Sequence, residues 1–426
     1  MTPPFFTDRT SDCAPLDLLR LRAEFPALSR QHAGQPVIFA DGPGGTQVPT
    51  VVSAAISNYL ATSNANLGGR FATSQETGTL VAEVRTAVAH LLNAAGPDDI
   101  IFGQNMTSLT FAMSRALART WQAGDEIIVT TLDHDANVAP WLMAAEDRGV
   151  VVRTLAFDPH EVTLSVAALH ALVGPRTRLV ALSHASNAVG SIVELLPLIV
   201  EAHRVGALVY VDAVHYAPHG VIDVQALDCD FLACSAYKFS GPHVGLLYGK
   251  HALLKGLTAY KVRPSSAVPP GKWETGTQNT EAIAGLHACL GHLGELGAGA
   301  SADPWSRAAL VGGLQRIVAH EQKLSRRFLS GLAAIPGVRL YGVADPTRVA
   351  RRTPTFGFTL AGCTPRQVAE RLAAHGIFIW DGHFYAKGLI DQLGLSDTGG
   401  LIRIGFAHYT TMAEVERVLD ELSQLG

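Results

Sequence analysis

An α/β fold built around a mostly parallel sheet is the architecture this sequence predicts, and three observations carry it. Residues 207–249, ALVYVDAVHYAPHGVIDVQALDCDFLACSAYKFSGPHVGLLYG, hold three short apolar runs, ALVYV, FLACS and VGLLYG, each bounded by a polar or glycine-bearing turn. Strands covered on both faces have this near-continuous apolar character, and all three are read as parallel strands whose carboxyl ends open into a crevice. Upstream, further strand-like runs alternate with helical patterns every ~25 to 30 residues, the spacing of right-handed crossover units. Finally, 426 residues with a hydrophobic fraction of 48% and 16% charged suffice for two domains with sizeable cores and exclude a disordered chain.

Taken in order, residues 15–24 (PLDLLRLRAE) show helical spacing that ends at the proline of EFPAL. VIFADGPGGTQVP follows as a strand ending in Asp41 and a Gly-Pro-Gly-Gly turn, where bare backbone approaches a neighbour closely. A helix over 48–61 leads to the polar loop SNANLGGRFATSQET, then a helix over 77–94 and the strand DIIFG. Strand EIIVT, strand VVVRTLAF, a helix over 164–173, strand RLVALSHASNAVG and helix ELLPLIVEAHRV bring the chain back to residue 207. A long helical tract over 305–334 connects to PTFGFTL, TPRQVAERLAAHG, GIFIW, LIRIGFAHY and a last helix, a compact α/β unit. The expected domains are 36–290 and, as a smaller unit, 1–35 with 291–426.

The totals also narrow function. With 33 basic and 37 acidic residues and a net charge of −4, nothing recommends nucleic acid as a partner. The amino terminus has no basic stretch followed by a continuous apolar run, and no apolar segment of about 18 residues follows, so a cytoplasmic protein with no membrane partner is expected. The five cysteines, Cys13, Cys229, Cys234, Cys289 and Cys363, are scattered without C-x-x-C spacing, which argues for reduced thiols and against a disulfide framework or a metal site.

Asp212 ends the first run of the 207–249 stretch and Lys238 follows the second. A desolvated lysine readily loses its proton and forms a Schiff base with a carbonyl. A buried carboxylate needs a cation or strong donor, and a protonated pyridine nitrogen is one. Together they suggest pyridoxal 5'-phosphate, although either residue alone is more often a cap or a solvated charge. The carboxyl edge of the sheet also collects Thr107, His134 and Asn187. Thr107 and Ser108 open the helix LTFAMSRALART after Met106, where free N–H groups favour an anion.

D-A-V-H, D-x-D-F and S-A-Y-K-F-S-G-P-x-x-G in this order resemble the cofactor signature of class V aminotransferases, the branch containing cysteine desulfurases, selenocysteine lyases, kynureninase and isopenicillin N epimerase. The resemblance runs over nearly the whole chain. It implies pyridoxal-phosphate transferase fold type I, with a sheet of the seven-stranded type between helices and a smaller α/β C-terminal domain. It places the aldimine on Lys238 and the ring-nitrogen contact on Asp212. The turn Met106-Thr107-Ser108 and Ser235 would hold the phosphate. TLDHDANVAPW resembles the desulfurase stretch whose histidine stacks on the pyridine, here His134, and Asn187 falls where the family has a donor to the phenolic oxygen or the substrate, with His184 a weaker candidate beside it.

Other positions follow in the same way. Arg403 matches the arginine that binds the substrate carboxylate through its bidentate fork, Gly44 and Gly45 line the substrate pocket, His383 and Tyr385 lie near the same pocket, and Arg70, isolated in its polar loop, is a candidate for substrate or a subunit interface. In WETGTQNTEAIAGL the threonine that reaches the other subunit's phosphate is Thr277, implying a homodimer with shared active sites. Two positions depart from desulfurases: His215 stands for glutamine and Tyr237 for histidine, and either can still hydrogen-bond to the cofactor. The desulfurase loop before the carboxylate-binding arginine carries a cysteine that takes the persulfide, whereas AKGLIDQLGLSDTGGLIR has none, and Cys363 is read as structural. The function expected is cleavage of a β C–S bond of an amino acid, with transamination or epimerisation as the alternative. A sulfur-acceptor protein is left open, and the presence of both Lys238 and Asp212 argues against a non-catalytic scaffold.

Overall fold

The computed structural model describes residues 14–297 and 303–425. Cys13 and the rest of the first 13 residues therefore lie outside the described residues. The larger sheet has seven strands: β1 Ile100–Gly103, β2 Glu126–Thr130, β3 Val151–Leu155, β4 Thr177–Ser183, β5 Leu208–Asp212, β6 Phe231–Ser235 and β7 Gly245–Gly249. Their spatial order is β1-β7-β6-β5-β4-β2-β3. Side chains alternate between two apolar cores. Val209, Val211, Leu232 and Cys234 enter one, while Tyr210, Phe231 and Ala233 enter the other. Helices cover both faces, which is why these runs are apolar at every position rather than every second one.

One expectation is corrected here. VGLLYG does not run parallel to its neighbours: β7 is antiparallel to both β1 and β6. Its connection explains the difference. Only residues 236–244 separate β6 from β7, and a parallel return needs a crossover of a dozen or more residues. The helix expected over 164–173 is reduced to Val166–His170, capped by the Ser165 side chain.

A second sheet of four antiparallel strands, β8 Val338–Tyr341, β9 Thr355–Leu360, β10 Trp380–Gly382 and β11 Leu401–Gly405, has the order β8-β9-β11-β10. Helix Arg307–Leu332 contributes Leu324, Phe328, Leu329 and Leu332 to its core, and helix Met412–Ser423 contributes Val415, Val418, Leu419 and Leu422. Thr411 starts that last helix with a capping box to Glu414. GIFIW divides at Ile379: Ile377–Phe378 pairs in parallel with Ile38–Phe39, and Trp380 begins β10. Ile38 and Ala40 accordingly sit in the core of the four-stranded sheet although they lie within 36–290 in sequence.

The segment that carries Thr277 is anchored by a buried ion pair. Glu274 accepts from both terminal nitrogens of Arg85, at 2.7 and 3.0 Å, and from the backbone N–H of Phe102 at 2.8 Å. Arg85 in turn donates to the Ile100 carbonyl at 2.6 Å and lies over the Phe102 ring at 4.5 Å. Glu274→Ala leaves that guanidinium buried without a counter-ion, so a loss of roughly 3–5 kcal/mol is expected in guanidinium unfolding, with a much smaller one for Glu274→Gln. Equal midpoints for wild type and Glu274→Ala would show that the pair holds nothing together.

Candidate active site

Five strand ends of the larger sheet converge on one place. Beyond β1, helix Met106–Ala118 begins with Asn105 as N-cap and a capping box closed by Ser108. The Met106 N–H donates to the Ser235 hydroxyl at 3.0 Å, tying that turn to the end of β6. A Cβ on Gly245 would run into the Asn105 backbone, so β7 can pass this turn only as glycine. Beyond β2 stand Asp133 and His134, beyond β4 Asn187, at the end of β5 Asp212, and beyond β6 Lys238. A crevice of 890 Å³ lined by Gly44, His134, Asn187, Tyr237, Lys238, His383, Tyr385 and Arg403 opens inward to a chamber lined by Met106, Thr107, Asp212, His215, Ser235 and the same Lys238.

Burial sets the electrostatics. Lys238 is 9% exposed and its Nζ donates to the Pro43 carbonyl in the Gly-Pro-Gly-Gly turn. Desolvation, followed by the nearby Arg403 cation, brings its amine down to about 7 against the opposing pull of Asp212. Asp212 accepts from the Val214 N–H at 2.9 Å, and burial lifts its carboxyl to about 6 despite Lys238. Burial lowers His134 to about 4, aided by Lys238 and Arg403. Its Nδ1 accepts from the Ala136 N–H at 3.0 Å, which leaves Nε2 as the nitrogen carrying the proton. His215 is likewise pushed well down by burial, and its Nε2 lies 3.1 Å from the Thr353 hydroxyl.

Arg403, on β11, is buried. Its Nη1 donates to the Asn187 carbonyl at 3.1 Å and its guanidinium lies 4.1 Å over the Phe384 ring, while Nε has no hydrogen-bond partner. Asp41 faces it with an unpartnered Oδ1, and burial raises that carboxyl to about 6. Burial lowers Arg403 itself to about 9. A buried guanidinium with an unused donor, open to a crevice, is suited to a carboxylate.

Other residues expected from the sequence are distributed as follows. Gly45 lies against the Tyr237 ring, and Gly44 has room for no Cβ because the Trp380 indole covers it. Ser108 is engaged in the helix cap and lines, with Thr277, a separate cavity of 530 Å³. Arg70 is exposed and lines neither the crevice nor its chamber. His184 is buried away from the crevice with its ring stacked 3.6 Å from Tyr216, and Cys363 lies outside both cavities.

The sequence singled out His134 but not the acid before it. Asp133 is fully buried, bonded to the Thr130 hydroxyl and, at 2.6 Å, to the Asn137 amide, and burial raises it to about 8, so it holds its proton at neutrality. The signal was present in Asp133-x-x-x-Asn137, whose spacing is that of a local side-chain bond. The Pro43 carbonyl was invisible, since backbone atoms leave no trace in residue type.

Residues 38–418 match the family described as Aminotransferase class-V. The chain belongs to this family. It is 33% identical to a cysteine desulfurase of Dickeya dadantii across 96% of its own length and 97% of that protein. It is also 33% identical to the aminotransferase-like protein FGM3 of Gibberella zeae, across 95% and 97%. Among solved structures, the cysteine desulfurase CsdA of Escherichia coli superposes with a TM-score of 0.82 at 28% identity, covering 96% of this chain and 98% of that one. As a class V aminotransferase family member the chain is a pyridoxal-phosphate-dependent enzyme, and its chamber fits the group. It offers a buried amine, a buried carboxylate with one backbone donor, and the first turn of a helix beside Ser235.

If the fields of Arg403 and Asp212 set the Lys238 amine, labelling of Lys238 in the cofactor-free protein by trinitrobenzenesulfonate will rise with a midpoint near pH 7. Loss of the cation in Arg403→Met should shift that midpoint upward, and loss of the anion in Asp212→Asn should shift it further down. Peptide mapping that places the midpoint near the ordinary lysine value in all three proteins would contradict the geometry.

Proposed function

We propose that this class V aminotransferase family member is a lyase that cleaves the bond between Cβ and sulfur of an amino acid. The observation carrying this is the placement, in one crevice and the chamber behind it, of an arginine with a free donor, a lysine amine held near neutrality and a buried aspartate, with no cysteine between residues 386 and 403. Both the cysteine desulfurase of Dickeya dadantii and the fold of CsdA support it. Arg403 would take the substrate carboxylate through Nε and a terminal nitrogen. Lys238 would hold the cofactor and then accept the Cα proton on Nζ. Bound pyridoxal phosphate supplies the electron sink that makes that proton acidic.

Asp212 would face the cofactor ring nitrogen, His134 would cover the ring, and Asn187 and His215 would reach its oxygen side. Met106, Thr107, Ser235 and Tyr237 would surround the phosphate, with Ser108 closing the cap of the same helix turn. We assign Gly44, Gly45 and His383 to the substrate side. A homodimer is part of this proposal: Thr277 and Arg70 would serve the second site across the interface, and exposed Leu60, Leu67 and Phe71 on the neighbouring segment support it. So are a cytoplasmic location and the division into 36–290 and 1–35 with 291–426, with Ile38–Phe39 counted to the smaller unit. Among the described residues no helix is long and apolar enough to cross a membrane.

Without a thiol in the 386–403 loop, sulfur would leave as sulfide or a thiol rather than pass to an enzyme cysteine. Holoenzyme given cysteine and cysteine thioethers is therefore expected to form sulfide or thiol, with pyruvate and ammonia in equal amounts. Cys363→Ser should match wild type, while Lys238→Ala should lose both the yellow absorbance and turnover. A keto acid that retains its side chain, with the cofactor left as the amine form, would replace the lyase by an aminotransferase.

A further inference from the structure

Beyond the carboxylate anchor, the wall of the crevice is aromatic, and its placement follows from strand register. Trp380 on β10 is the cross-strand partner of Arg403 on β11, so the two side chains share a face of the sheet, with Cβ atoms ~5 Å apart. The Trp380 indole lies on Gly44, next to the Pro43 carbonyl that receives the Lys238 amine. It is thus close both to the group that would hold a substrate carboxylate and to the group that would take the Cα proton. Trp380 nevertheless remains 50% exposed, and Tyr385 67%. Large aromatic surface left bare at the mouth of a crevice marks a ligand groove.

The second part of that wall is held in a conformation that side chains rarely adopt. Phe384 and Tyr385 both have positive φ, 52° and 57°, and Gly382, two residues before Phe384, has 116°. Their carbonyls are secured from the other side of the crevice. The Asn187 amide donates to the Phe384 carbonyl at 2.9 Å and the Asp135 N–H to the Tyr385 carbonyl at 2.7 Å. The Phe384 ring covers the Arg403 guanidinium, and the Tyr385 ring stacks on His134 with centroids 5.3 Å apart. Backbone strain of this kind persists where the surroundings impose it, typically at binding sites. Arg366 and Asp381, which also line the crevice, are paired with each other at 3.3 Å.

From this we infer that the substrate is a cysteine thioether with a bulky aromatic or apolar group on sulfur, and that Trp380 and Tyr385 hold the departing thiol. The inference rests on the lyase proposal above. The crevice volume of 890 Å³ lies in the range that encloses drug-sized ligands, far more than a bare thiol fills. The reaction balances without an oxidant, reductant or acceptor thiol. The Cα–H and Cβ–S bonds break, the sulfur leaves with the bonding pair and collects a proton, and water added across the remaining dehydro amino acid gives pyruvate and ammonium. Net, R–S–CH2–CH(NH3⁺)–COO⁻ and water become RSH, pyruvate and ammonium.

Two measurements on the holoenzyme test it. In the first, kcat/KM for S-benzylcysteine is compared with that for cysteine, following thiol or sulfide together with pyruvate. In the second, calorimetry compares 3-(benzylthio)propionate with 3-mercaptopropionate, which lack the amine and cannot react. We expect the benzyl compound to be favoured at least tenfold in both, as burial of one aromatic ring allows. Trp380→Ala should remove most of that ratio and Trp380→Phe should restore it. Equal ratios in wild type and Trp380→Ala, or a preference for cysteine with sulfide released, would overturn the inference and leave the lyase standing. Keto acid that still carries the benzylthio group would instead overturn the lyase, and with it the departing thiol, whatever the calorimetry shows.

Discussion

The placement of three charges away from water is the constraint on which this site depends. For Asp212, Lys238 and Arg403 alike, burial is the leading influence on protonation, and in each case it acts against the charged form. Isolated ions could not remain there. They are tolerated because Lys238 feels the Asp212 carboxylate, because Asp212 takes a backbone donor from Val214, and because Arg403 feels Asp41 and finds a carbonyl and an aromatic face. The donor capacity left over is at Nε of Arg403, a residue that lines the crevice. The protein thus keeps buried polar groups that its own chain leaves incompletely satisfied, at the cost of some stability.

Because those charges come from two sheets, the junction between the sheets sets their separation. Arg403 arrives on β11 and Lys238 after β6. The turn after β4 joins them: Asn187 receives Arg403 on its carbonyl and gives its amide to Phe384, while the Gly190 carbonyl accepts from the Thr353 N–H at 2.8 Å. Gly190 has φ of +82°, and a Cβ there would meet the Thr355 carbonyl, so glycine is required where β9 approaches. Behind His215, the buried pair His219 and Glu321, 2.8 Å apart, connects the same region to the helix Arg307–Leu332. These contacts bind Arg403 to the frame that holds the lysine.

Much of this was legible in the residues. The apolar runs gave β5 and β6 because strands buried on both faces cannot hide their composition, and Asp212 and Lys238 stood out because charge directly after such a run has to be accommodated. The helix start at Met106–Ala118 was legible for the same reason, through its capping residues. What escaped was whatever depends on contacts across the fold. The direction of β7 is decided by the nine residues before it, not by its own sequence. Ile38–Phe39 reads like any short apolar run, yet its partner is Ile377–Phe378, more than 300 positions away. Trp380 and Phe384 carried no local pattern at all; their importance comes from register opposite Arg403 and from backbone strain, both properties of the folded chain.

The division of labour among the titratable groups follows from the same burial. His134 has its Nδ1 occupied by the Ala136 N–H and a pKa near 4, so at neutral pH it is an uncharged plate between the Tyr385 ring and the chamber. Asp133, lifted to about 8, is protonated and acts on its neighbours through hydrogen bonds rather than charge. A second carboxylate close to Asp212 would raise it further, so the neutrality of Asp133 helps Asp212 stay ionised against its own desolvation. Lys238, brought down to about 7, is also the group whose Nζ donates to the Pro43 carbonyl across the cavity. In the proposed reaction, proton transfer would therefore fall to the lysine, and the imidazoles of His134 and His215 would position rather than exchange protons.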